Sequence, residues 1–413
     1  MIEYGTKAYW RATISLSLAS FFVFAMVYLT QPMLPLFTQE FGISETLSSM
    51  SLSVVVFCIS TCLLFYGPLS DALGRKSIMV WTMLGSILTT LLLSLVPGYS
   101  ALIGLRALQG VFLAGLPSLA MAYMSEEFAP RALGISIGMY ISANSLGGMS
   151  GRIIGGILAD LWGWRSAFLI IGLASGLFWV CFTVMLPRSR YFRPKPLRLG
   201  EALHEMKRHI GTPSMRNAFL IGGLNFAVFI GGFNYLTFRL SDTPYNLPAS
   251  VIGLLFLAYL GGTVGSTVSG RFAERNGKTK ALLLGIALFG AGILMTLVPS
   301  LWVIIPGVVL QCFGYFFAHS ASAGWVNANA AFARASAASL YLCSYYMGGS
   351  LGSLYLGLWW HLYRWPGVVI GELLTLGVAA LLASRMRQEE KRVQYLKLAK
   401  YEAGQTKSTH LVS

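Results

Sequence analysis

Two arginines, Arg106 and Arg152, stand inside apolar runs, where a charge is costly. A cation at the centre of a bilayer costs upward of about 2.5–3.5 kcal/mol, so an ionisable residue at that depth marks binding, coupling or a structural tie. The spans derived below place each arginine six residues from the same end of its helix, about 9 Å deep by helical rise. Two cations ~8 Å apart at an effective dielectric near 20 repel by about 2 kcal/mol, which calls for something anionic or strongly accepting beside them. Gln109, one turn from Arg106, offers a carbonyl oxygen but no charge. One or both arginines are therefore expected to bind an anionic or oxygen-rich solute, with Gln109, Asn144, Asn225 and Asn234 as neutral polar candidates for the same task. The competing reading is that Arg152 snorkels to the surface while Arg106 ties helices together through their carbonyls.

Other chemistry is scarce. Asp71, Glu372 and His319 are the candidates for carrying a coupling proton, with Asp71 ranked above Glu372, which falls in the last apolar run. An intramembrane enzyme would need paired carboxylates, an H-E-x-x-H zinc pattern or a nucleophile with its base, and the sequence displays none of these. A G-x-x-x-x-G-K-[ST] phosphate loop is missing too, so a gradient rather than ATP is expected to drive any transport. Cys58, Cys62, Cys181, Cys312 and Cys343 all lie in apolar runs and are odd in number. They read as small core residues, and neither a metal nor a cofactor is expected.

Positioning these groups takes membrane-spanning helices. Of 413 residues, 55% are hydrophobic and 11% charged, against roughly 25% charged in soluble proteins. Apolar runs such as 47–66 and 78–96 have the ~20 residues that cross a ~30 Å hydrocarbon core. The net charge of +15 forms no nucleic-acid stripe. Of 30 Lys and Arg, three fall in odd-numbered connections (Arg165, Arg239, Arg364), two inside spans, and the other 25 in the tails and even-numbered connections. That bias puts both termini in the cytoplasm. The first span is expected to end near Thr30, before Gln31, Pro32 and Pro35. The chain divides into a first six-helix bundle (1–186), a basic linker (187–216), a second bundle (217–385) and a tail (386–413).

The stretch 67–76, G-P-L-S-D-A-L-G-R-K, reads as a tight turn between two spans, with Asp71 placed to dock on a helix N-terminus. Within it, Gly67, Leu69, Asp71, Gly74, Arg75 and Lys76 resemble the G-x-L-a-D-r-x-G-r-k signature between helices 2 and 3 of major facilitator superfamily transporters. Ser70 fits the pattern and Ala72 departs from its usual base. Arg106, Gln109 and Gly110 resemble the superfamily's helix-4 motif. Gly138, Gly147, Gly151, Gly155 and Gly156 resemble the helix-5 signature of its antiporters, with Arg152 standing where that signature has proline. Without any family, Gly147, Gly151, Gly155 and Gly156 also read as a helix-packing stripe. Gly270 to Lys278 repeats the first motif 203 residues on, and Gly348, Gly349 and Gly352 repeat Gly147, Gly148 and Gly151 at 201.

The resemblance implies an all-α membrane protein of twelve transmembrane helices in two pseudo-symmetric bundles, working by alternating access. It is most similar to bacterial inner-membrane exporters of the YnfM-like type, labelled sugar or arabinose efflux permeases. The implied activity is gradient-driven efflux of a small polar or anionic solute by proton antiport. Uptake of an organic anion by symport or uniport stands second, and a non-transporting receptor third. Expected partners are the solute, protons and the bilayer, without nucleic acid, for a monomer in the bacterial inner membrane. The 67–76 motif is expected to act as a gating latch, with Glu126 and Arg131 on its face.

Overall fold

The computed structural model describes residues 1–189, 192 and 199–409. Most of the 190–198 part of the basic linker, and the end of the tail at 410–413, lie outside the described residues. The first half comprises α1 (Lys7–Tyr28), α2 (Leu34–Phe41), α3 (Glu45–Leu73), α4 (Arg75–Leu93), α5 (Tyr99–Leu113), α6 (Gly115–Glu127), α7 (Pro130–Trp162) and α8 (Trp164–Met185). A linker helix, α9 (Leu199–Gly211), leads to α10 (Pro213–Ser241), α11 (Ala249–Leu254), α12 (Tyr259–Asn276), α13 (Lys278–Met295), α14 (Leu301–Asn329) and α15 (Arg334–Thr409). Side-chain caps fix two starts: Thr6 accepts from the Tyr9 amide and Ser44 from the Leu47 amide.

Among the described residues, ten helical stretches are long and apolar enough to cross a membrane. One of them, 336–390, is two crossings, because α15 breaks at Tyr363 and Arg364, where Arg364 takes a φ of 53°. The twelfth is α7, whose many glycines lower its hydropathy but whose 33 residues extend about 50 Å. Three crossings are built from pieces: α1 continues through a 3₁₀ turn at Gln31–Met33 into α2, α5 continues into α6, and α11 into α12. The first span therefore does not stop before Gln31. Pro32 and Pro35 sit at the first positions of the next turn and helix, where a missing N–H costs nothing, so the chain bends and runs on to Phe41.

The stretch 67–76 is also less of a loop than its glycines suggest. Helix α3 runs through Pro68 to Leu73, and the reversal is confined to Gly74, at φ 96°. Gly277 makes the same reversal at φ 91° in the second half, and both positions need the left-handed freedom of glycine. The helices put Gly74, Gly277 and the start of α1 at one face, the basic end; Ser44, Trp164, Pro248 and Arg364 lie at the other, the far end.

The halves repeat in packing as well as in sequence. A Cβ on Gly147 or Gly151 would fall within 3 Å of the α1 backbone at Phe21 and Ala25, and one on Gly348 or Gly352 would meet the α10 backbone at Gly223 and Ala227. Small residues thus let α1 and α7, and α10 and α15, approach backbone to backbone. Gly155 lies against Leu29, just past the end of α1, whereas Gly156 lies against Ala249 of α11, across the boundary between halves. In α10, 89% of the apolar window is buried, against 28% in α8, so α10 is central and α8 faces lipid with Leu177 and Val184.

Candidate functional site

Where the halves meet, Phe24, Tyr28, Asn144, Ser145, Gly148 and Arg152 of the first face Phe226, Phe229, Tyr259, Tyr315, Phe316, Tyr345 and Tyr346 of the second around a cavity of about 100 Å³. A water's share of liquid volume is roughly 30 Å³, so this is room for a few waters. Phe229 stacks on Tyr315 at 3.7 Å between centroids, Phe226 on Tyr345 at 3.8 Å, and the Tyr315 hydroxyl donates to that of Tyr345 at 2.5 Å. Behind them, His319 contacts Tyr345 and meets the Tyr341 hydroxyl through Nδ1 at 3.1 Å. Asn144 is held by the Ser20 hydroxyl.

Arg152 is the cation of this cavity and is 1% exposed. Its Nε donates to Gln31 Oε1 at 2.6 Å and its Nη1 to the Gly148 carbonyl at 2.8 Å, while Nη2 has no partner. Three rings surround the guanidinium: Tyr28 at 3.8 Å, Phe256 at 4.5 Å and Tyr259 at 4.9 Å. Ring faces attract a desolvated cation by about 2 kcal/mol, which helps to hold a charge that, among the described residues, has no carboxylate beside it. The unspent donors of Nη2 remain for an acceptor, and a planar guanidinium suits a carboxylate or another oxyanion.

Arg106 is placed differently and follows the competing reading, a tie between helices through their carbonyls. Its donors are all spent inside the first half: Nε to the Ser51 carbonyl at 2.8 Å, Nη1 to Met26 O at 3.1 Å and Gln109 Oε1 at 2.5 Å, Nη2 to Val27 O at 2.8 Å and Thr30 Oγ1 at 3.3 Å. The carbonyls of Met26 and Val27 belong to the last turn of α1, which lacks intrahelical donors and carries the negative end of the helix dipole. Arg106 is thus a cap on α1, and Gln109 is fixed in turn by donating to Thr90 Oγ1 at 2.6 Å. Nor do the two arginines share a level. Arg106 is seven residues into α5 and Arg152 ten from the end of α7, about 10 and 15 Å deep.

The far end ties the halves together. Gln31, holding Arg152 through its oxygen, donates through its nitrogen to Asn234 Oδ1 at 2.7 Å, and Asn234 donates to Ser353 at 2.8 Å. Asp160 accepts from the amides of Ala249 and Ser250 at 3.2 and 2.7 Å, capping α11 from the opposite half. Arg364 pairs with Glu45 at 3.0 Å there, and further along the spans Ser350 donates to the Ser53 carbonyl and Ser60 to the Cys343 carbonyl. Asn225 is buried, with neither side-chain atom partnered, and does not line the cavity.

At the basic end, Arg75 pairs with Asp71 at 2.5 Å and with Glu126 at 2.8 Å, and also donates to Ser70. Asp71 therefore binds the first side chain of α4 and does not cap a helix; the carboxylate that caps one is Asp160. Lys76 donates to the carbonyls of Thr183 and Leu186 at 2.9 and 2.5 Å, tying α4 to the end of α8. Its counterpart Thr279 donates to Glu390 at 2.8 Å. Gly67 and Leu69 lie within α3, Leu69 about one-third exposed, and Arg131 is drawn to the Tyr4 ring rather than to the motif.

The family model described as Major Facilitator Superfamily matches residues 16–243 and 240–407. The chain belongs to the major facilitator superfamily. It is 40% identical over 390 residues to the inner membrane transport protein YnfM of Escherichia coli (strain K12), covering 94% of this chain and 93% of that one. It is 37% identical over 395 residues to an uncharacterized MFS-type transporter, YybF, of Bacillus subtilis (strain 168), covering 95% and 98%. A chloramphenicol resistance protein of Acinetobacter baumannii, CraA, is 26% identical over 73% of this chain and 74% of its own. Among solved structures, a bacterial homologue of the human lysosomal transporter Spinster superposes with a TM-score of 0.73 at 15% identity, covering 92% of this chain and 96% of that one. As a major facilitator protein the chain is a transporter and not an enzyme, and it spans the membrane many times.

Several lining residues of this facilitator were not evident from sequence. Tyr28, Phe226, Phe229, Tyr259, Tyr315 and Tyr345 come from five helices, so no local pattern gathers them. The usable signals were the i, i+3, i+7 spacing of Phe226, Phe229 and Phe233 and the tyrosines at 341, 345 and 346.

Proposed function

We propose that this transporter moves a small organic anion with an apolar or aromatic body, out of the cytoplasm, by gradient-driven alternating access between its two halves. The observation that carries the reading is Arg152: a buried guanidinium with an unpartnered Nη2, walled by aromatic rings, on the boundary between the halves. The anionic group meets Nη2 and the ring faces take the body of the solute. The basic end is cytoplasmic by the positive-inside rule, in a bacterial inner membrane as for YnfM. With the halves tied at the far end by Gln31 to Asn234, Asp160 to α11 and Glu45 to Arg364, this conformation is closed to the outside. Opening there requires Gln31 to leave Asn234 and Asp160 to leave α11, while Arg75, Asp71 and Glu126 brace the other end as one unit. Export is favoured over uptake by the helix-5 glycine register and by the relative CraA being a chloramphenicol resistance protein. The bundles act as one monomer, with protons as the coupling ion.

Thermal stabilisation of the purified protein by small aromatic carboxylates and sulfonates, set against their neutral amides, tests the anion site. The wild type is stabilised by acids and not by amides. Arg152→Lys loses at least tenfold in affinity, because the fork geometry is gone even though charge remains. Equal stabilisation by acids and amides would refute the reading.

A further inference from the structure

Glu372 lies in the second limb of α15, eight residues past the break at Arg364, about 12 Å from the far end. It is 2% exposed and its Oε2 has no hydrogen-bond partner. Oε1 packs on the backbone of Gly232 in α10, in space that any Cβ would occupy. Among the described residues, the charged and titratable side chains on the elements around it are engaged elsewhere or stand turns away, as Arg385 and Arg387 do further along α15. Arg239 of α10 binds the Thr296 carbonyl and the Tyr245 hydroxyl, and Tyr235 donates to Ser353 O. On α15, Tyr355 reaches the Gly371 carbonyl, His361 meets Thr46, and Arg364 pairs with Glu45. Lys278 and Lys280 of α13 stand at its basic end.

An ionised carboxylate left in such surroundings forfeits its solvation with no charge beside it, among the described residues, to offset the loss. The neutral acid fits, because an uncharged carboxyl can pack on a glycine backbone. The same helix carries the consequence to the gate. Gly232 turns one face of α10 to Glu372, and two residues on, Asn234 holds Gln31 and through it Arg152.

We propose that Glu372 is the proton-binding site of the transport cycle, holding its proton while the far end is closed and releasing it when α10 and the second limb of α15 part. On release the carboxyl O–H bond breaks, the proton passes to entering water and the carboxylate remains; reclosure requires a proton to be taken up again. The proposal rests on the gradient-driven reading above, but not on which solute Arg152 binds.

Two solute-free measurements on the full-length protein test it. A protonated carboxyl in apolar surroundings gives its proton to dicyclohexylcarbodiimide and adds to its central carbon, and after acyl migration peptide mass analysis should find the N-acylurea on Glu372 at pH 7. Its yield should fall roughly tenfold per pH unit beyond the midpoint. Spin labels replacing Trp162 and Val251, exposed at the far ends of α7 and α11, should report a distance that changes with pH in the wild type. Glu372→Gln, which mimics the neutral acid, should hold the low-pH distance at every pH, and Glu372→Asp should restore the response with a shifted midpoint. A wild-type pH response in Glu372→Gln, or no carbodiimide on Glu372 at any pH, would overturn the proposal. Failure of acid binding at Arg152 would leave both readouts unchanged, so the two ideas fail separately.

Discussion

Arg106 and Arg152 are the same residue type, both buried inside spans, and their fates differ through what each donor meets. Five acceptors close around Arg106, while Arg152 keeps Nη2 unpartnered beside aromatic rings. Arg106→Gln should therefore act on stability: the end of α1 loses its cap and buried carbonyls lose charged donors worth about 1.5–3 kcal/mol each. The expected result is a melting temperature several degrees lower, with solute affinity in the surviving folded protein near wild type. Loss of affinity without loss of stability would contradict the assignment. Sequence could flag both arginines as costly, and Gln109 at i+3 hinted at a tie. It could not say which carbonyls of α1 and α3 would face Arg106, because that depends on helix rotations set by packing.

At the level of elements, glycines decide how close helices come. Gly151 admits the α1 backbone, whereas Gly138, on the same helix, has nothing within 4 Å of where its Cβ would be. Gly151→Leu should prise α1 from α7, with overpacking costs of about 1–3 kcal/mol or more. Gly138→Ala should stabilise α7 by about 0.5–1 kcal/mol. Thermal denaturation of the two variants checks the contrast, and equal effects would refute the packing account. This stripe was legible because i, i+4 glycines in an apolar run have a direct geometric meaning. The continuation of the first span past Gln31 was not: prolines at 32 and 35 look like an exit, yet at helix starts they merely turn the chain. That bend brings Gln31 into the gate.

For the whole molecule, the repeat and the basic bias made the two-bundle plan readable, while the meeting of the halves at Asp160 and α11, or at Gln31 and Asn234, left no trace in either half alone. Orientation is checked by impermeant maleimide on intact cells, in a cysteine-free background. A thiol replacing Leu95, exposed at the far end, should react, and one replacing Lys207 on α9 should be shielded; the reverse pattern would invert the topology. The central claim, that an anion crosses between the halves by engaging Arg152, is tested most directly by flux in proteoliposomes. The carboxylate that best stabilises the protein should be carried by the wild type, its neutral amide should not, and Arg152→Lys should fall at least tenfold while remaining folded. Equal flux of acid and amide, or wild-type flux in Arg152→Gln, would contradict the account.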